Sequence, residues 1–208
     1  MDRNFLKTPL LFLFFIAVFV AGKLIFLAYY HTDYATFTSG DFIRVIGHGL
    51  QHDASVAGYL TALPGLLLII GYWVKPRLAN LLLKAYLLPI IFFVTAILIV
   101  DIVLYEYWGF RIDASTLFYL LSPKEALAST SWITNITGIS IALLLSFLLF
   151  KAASKLLLFN NKPLLSLKSK IAGSFLILLE VALLFIPIRG GFKESTMNVG
   201  KVYFSNEI

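Results

Sequence analysis

The sequence predicts an all-α, polytopic membrane protein: five transmembrane helices with short amphipathic helices on the extracytoplasmic face. Three observations carry this. Hydrophobic residues fill 60% of 208 positions and 13% are charged, where a soluble domain carries about a quarter charged residues. Mean hydropathy is +0.89. The apolar residues gather into five runs, each close to the roughly 20 residues needed to cross a bilayer as a helix. The runs show no two-residue alternation, so a membrane barrel is excluded. Helices satisfy every backbone amide without water.

The first span is predicted over residues 9–30. Arg3 and Lys7 precede it as in a signal peptide, but the run is long and no small-residue cleavage site leads into polar sequence. It reads as an uncleaved helix. In residues 31–53, Phe42, Ile43, Ile46 and Leu50 recur near helical spacing, with Arg44, His48, Gln51 and His52 on the other side. That pattern fits an amphipathic helix in the membrane surface, and equally a helix packed on the bundle top. Spans two and three follow at 54–74 and 85–107. Between spans three and four, Asp113 can cap a turn starting at Ala114. Ser122-Pro123-Lys124-Glu125 reads as a capping box opening a short helix through Ala128. Spans four and five are placed at 132–150 and 171–188.

Basic residues set the orientation. With the N-terminus in the cytoplasm, the inner segments hold ten Lys and Arg and the outer segments six, five of the ten lying between Lys151 and Lys170. The positive-inside rule favours this arrangement and sends the C-terminus outside. Tyr29, Tyr30, Tyr59, Tyr105, Tyr107, Trp108 and Trp132 then form an outer aromatic belt, and Tyr72, Trp73 and Tyr86 an inner one. Residues 1–188 are expected to form the transmembrane domain. Residues 189–208 are polar, lack an apolar core and cannot fold alone. They read as the start of an extracytoplasmic linker.

The net charge of +6 sits in short loops beside spans, which points to membrane lipids as partner and not to nucleic acid. There is no cysteine, which excludes disulfides and thiolate chemistry. Lys23, Asp101 and Glu180 fall within spans, where each charge costs about 2.5–3.5 kcal/mol at mid-membrane on insertion scales. Lys23 lies about 21 Å beyond residue 9 and Asp101 about 24 Å beyond residue 85. Equal depth and opposite sign predict a structural Lys23–Asp101 pair. Glu180, about 14 Å beyond residue 171, has no evident mate and is expected to be protonated or hydrogen-bonded to Ser or Thr. His48 and His52 share a helix face but lack a third ligand or an intervening Glu. No catalytic residue, metal site or cofactor is expected in this chain.

Three outer stretches resemble one family together. Gly49-Leu50-Gln51-His52-Asp53 with Tyr59-Leu60 resembles the stretch leading into the second helix of bacterial lipoteichoic acid synthase-like proteins. Trp108-Gly109-Phe110-Arg111-Ile112-Asp113 is similar to their segment after the third helix. Arg189-Gly190-Gly191, Asn198-Val199-Gly200 and Tyr203-Phe204-Ser205 resemble the stretch after the fifth. Gln51-His52 stands where that family commonly has an arginine. The resemblance implies a membrane anchor for a sulfatase-like catalytic domain of the alkaline phosphatase superfamily, with a threonine nucleophile and a divalent metal of the manganese or magnesium class. None of that chemistry maps onto residues here. The expected function is therefore anchoring of a phosphoglycerol or phospholipid head-group transferase at the outer face of the bacterial cytoplasmic membrane, its partners being lipids and its own C-terminal catalytic domain. Arg44, Arg111 and Arg189 are candidate contacts to lipid phosphate, with pairing to Asp53 or Asp113 as the alternative. A self-contained transporter or channel would need a polar mid-membrane cavity and an internal repeat, neither visible in the sequence. A non-catalytic accessory subunit is the third reading.

Overall fold

A computed structural model describes residues 3–31, 38–109, 111–112, 130–159 and 166–192. Among these residues the chain is helical, with no strand. A single 3-10 turn, Arg3–Leu6, leads into α1, Lys7–Tyr29. Then come α2, Ser39–Gly71; α3, Pro76–Trp108; α4, Trp132–Leu157; α5, Leu167–Leu183; and a short α6, Phe185–Arg189. Five helical stretches are long and apolar enough to cross a membrane: Asn4–Tyr29, Gly40–Gly71, Pro76–Trp108, Trp132–Leu157 and Leu167–Arg189. The protein is a multi-pass membrane protein of the expected fold class.

The main departure is at α2. The expected separate surface helix and second span are one continuous helix, opened by Thr38. The Asp41 carboxylate accepts from the Thr38 backbone N–H at 2.9 Å and its hydroxyl at 2.7 Å, tying the first turn back to its cap. At 33 residues the helix is about 50 Å long, beyond the roughly 30 Å hydrocarbon core. The expected caps at Asp113 and Ser122, and the tail from Lys193, lie outside the described residues.

Packing divides the chain into two compact units. The first comprises the described residues up to Tyr86 and from Ala153 onward. Here α2 packs against α1, α5 and α6. Thr8, Leu11, Phe15, Gly22 and Phe26 form the buried stripe of α1, spaced three, four, seven and four apart as one helical face requires. Glycines on α2 permit the close approach. A Cβ on Gly65 would collide with Val181, and one on Gly58 would come within 2.8 Å of Ile188. Small residues at such contacts are how membrane helices gain packing that lipid cannot supply.

Polar side chains pin backbone carbonyls that helices leave open. Pro64 has no N–H, so the Leu60 carbonyl lacks its helical donor; the Tyr86 hydroxyl donates to it at 3.1 Å. Ser55 donates to the Ile188 carbonyl at 2.9 Å, and Gln51 to that of Gly190. The helix there is closed by Gly191 N–H to Ile186 O and Gly190 N–H to Pro187 O, both 2.9 Å. Gly190 sits at φ +91 and Gly191 at φ +114, which glycine adopts without steric cost.

The opposite end of this unit is closed around Phe159. Asn80 donates to its carbonyl at 2.9 Å and accepts from its N–H at 2.7 Å. Lys7 donates to the Leu158 carbonyl at 3.1 Å and lies 4.2 Å from the Phe159 ring centre. The ring meets Tyr72 edge-on. A cation at the C-terminal carbonyls of α4 also complements that helix's dipole.

The second unit, Leu87 to Ala152, contains most of α3 and α4. Thr95 and Ser146 hydrogen-bond each other in its interior. Gly138 faces Ile99 and Val103. Most of the remaining surface is bare Leu, Ile and Phe.

Candidate functional site

The intramembrane charges are the residues whose placement requires explanation. Lys23 on α1 is bonded to Asp53 on α2. Both side chains are largely buried, and a Cβ at Gly49 would overlap the lysine ammonium. Gly49 thus makes the space that the cation occupies, one turn from its partner.

Asp101, 4% exposed, accepts two bonds from the Arg111 guanidinium, one of them from Nε at 2.9 Å. It also accepts the Ile112 backbone N–H at 3.0 Å. Gly109, at φ +72, ends α3, and the chain turns back so that Arg111 and Ile112 reach down to the carboxylate. Asp101 therefore fastens the exit of α3 as well as neutralising a cation.

The expected Lys23–Asp101 pair is corrected by this geometry: each charge has a different partner. The physical reason is the length of α2. The charge pattern places residues up to Asp53 in an outer segment, whereas the unbroken helix makes Asp53 part of the bundle wall facing α1. Arg111 is bonded to Asp101, ten residues back along the chain.

Arg44 extends from the first turns of α2 with its side chain 67% exposed, 3.9 Å from the Asp41 carboxylate. His48 makes a 2.8 Å contact between Nδ1 and the Arg44 carbonyl one turn earlier, a contact internal to the helix. Arg189 is exposed in the last turn of α6, beside the Gly190 carbonyl held by Gln51. Gln51 is two turns along α2 from Arg44, so Arg44 and Arg189 belong to the same end of the first unit. Arg111 belongs to the second unit. No group of three or more His, Cys, Asp or Glu able to hold a metal occurs among the described residues.

Glu180 on α5 pairs with no described basic side chain. It lies within hydrogen-bonding reach of the Thr8 hydroxyl on α1, a partner of the expected kind. Compared with protein-family models, curated proteins and solved structures, the chain matches none.

Proposed function

We propose that this chain is the membrane-anchoring N-terminal domain of a bacterial sulfatase-like phosphoglycerol or phospholipid head-group transferase. It sits in the cytoplasmic membrane with its N-terminus inside. The catalytic domain follows on the outer side, carrying the threonine nucleophile and divalent metal of that chemistry. The observation that carries this reading is the paired left-handed glycine exit at Gly190 and Gly191, fixed to α2 by Gln51 and Ser55. It gives the chain a defined departure point from the last span at the end where Arg44 and Arg189 are exposed. Tethering raises the local concentration of an enzyme at a surface carrying its lipid donor.

Reading the gene past the codon for Ile208 tests the proposal. The expected result is a continuing frame of several hundred residues encoding a sulfatase-like domain; a stop codon there contradicts it. Arg44 and Arg189 are exposed and supply guanidinium groups suited to lipid phosphate. Replacing Arg44, Arg111 and Arg189 together with Gln is expected to weaken binding to phosphatidylglycerol vesicles. Unchanged binding removes the lipid role.

A further inference from the structure

We infer that the end of the first unit closed around Phe159 is a binding surface for anionic phospholipid headgroups. Three helices begin at this end: α1 at Lys7, α3 at Pro76 and α5 at Leu167. A helix N-terminus carries a partial positive charge, which acidic side chains ordinarily offset. None of the three has an acid in its first turn. In α3 and α5 the placement is reversed: Arg77 stands second in α3, and Lys168 and Lys170 both lie in the first turn of α5. Lys155, by contrast, suits the last turn of α4.

The rest of this end repeats the same sign. Lys75, Arg77, Lys84, Lys155 and Lys168 are all exposed. Residues 3–31, 54–86, 153–159 and 166–179 contain no Asp or Glu, and among the described residues no ion pair forms here. Glu180, the next acid on α5, is ten residues beyond Lys170, about 15 Å along the helix. Packing holds the cations together against their repulsion. Asn80 is bonded to Phe159, Trp73 Nε1 donates to Ser174 Oγ at 3.1 Å, and Gly173 faces the Tyr72 ring. Like charges fixed side by side call for anions from outside the chain.

Depth selects a lipid over a soluble partner. Leu78, Leu81, Leu167 and Ile171 are exposed within one turn of Arg77, Lys84, Lys168 and Lys170. Trp73 is 53% exposed, and the Lys170 ammonium lies 5.9 Å from its ring centre. Indole and ammonium at the edge of a bare apolar surface belong to the headgroup layer. Basic clusters at that level hold anionic phosphate. In the proposed orientation this is the cytoplasmic leaflet, and Arg44 and Arg189 belong to the other end of the unit.

Trp73 serves as the reporter for the test. The chain carrying Trp108→Phe and Trp132→Phe is reconstituted into mixed phosphatidylcholine and phosphatidylglycerol bilayers. One lipid or the other is brominated on its acyl chains, which quenches a nearby tryptophan. The expected result is stronger quenching by brominated phosphatidylglycerol, with a relative binding constant of about five, reduced by high salt. Lys75→Gln, Arg77→Gln, Lys168→Gln and Lys170→Gln in combination remove the preference. Helical circular dichroism and the Trp73 emission maximum in unbrominated phosphatidylcholine verify that this variant is folded. Equal quenching by the two lipids in the chain with all its cations, or an unaltered preference in the folded fourfold variant, overturns the inference. Trp73 reports on its own end alone, so neither outcome bears on Arg44, Arg189 or the anchoring of a transferase.

Discussion

The two units solve the problem of holding helices together in lipid in different ways. In the first, α2 meets its neighbours through glycines, and side chains from one helix close backbone groups on another: Tyr86 on Leu60, Ser55 on Ile188, Gln51 on Gly190, Asn80 on Phe159. In the second, one hydroxyl pair joins α3 to α4, and the Asp101 carboxylate fastens the end of α3 to the residues just after it. Leu143, Leu144, Phe147 and Leu148 on α4 are all exposed. Acyl chains are as apolar as leucine, so such a face gains little by packing on a neighbouring helix. The first unit is built to hold a fixed internal arrangement, and the second to meet lipid.

Substitutions can break or sharpen this contrast. The largest effect is expected at Asp53. Asp53→Ala leaves Lys23 buried and unpaired, a loss of about 3–5 kcal/mol. Unfolding in mixed detergent is the measurement, and Lys23→Met in the same chain is expected to recover most of the loss. Next is Gly65→Val, which drives a side chain into Val181 and costs about 1–3 kcal/mol by overpacking. Asn80→Ala removes both bonds to Phe159, for a loss of about 1–3 kcal/mol at roughly 0.5–1.5 per bond. The smallest effect belongs to the second unit. A double-mutant cycle on Thr95→Val and Ser146→Ala is expected to give a coupling of about 0.6 kcal/mol, the usual value for a hydroxyl pair between membrane helices. A coupling as large as the Asp53 effect would erase the distinction between the units.

The five spans were legible because length and hydropathy alone determine them, and nothing in lipid competes with a helix for an apolar run. The α1 stripe was not legible, because its buried Leu11, Phe15 and Phe26 lie among equally apolar lipid-facing residues. The ion pairs were misread for two separate reasons. The helical spacing at Phe42, Ile46 and Leu50 runs without a proline or turn into the second span, and that continuity was the available signal for placing Asp53 inside the bundle. Equal depth among the spans that run in one direction says nothing of an acid on α2, which runs the other way. The Arg111 contact had no such signal, since it depends on a turn at Gly109 that returns the chain to Asp101. Glu180 was half legible: a Ser or Thr partner is expected from its lack of a basic mate, but that the partner is Thr8 depends on how closely α1 and α5 approach.

The most direct measurement is the topology of the C-terminus. Alkaline phosphatase, active only outside the cytoplasm, and green fluorescent protein, fluorescent only within it when exported unfolded, can each be fused behind Ile208. The account predicts phosphatase activity and no fluorescence. Fluorescent, phosphatase-inactive fusions would place that end in the cytosol and contradict an anchor for an outer-face enzyme.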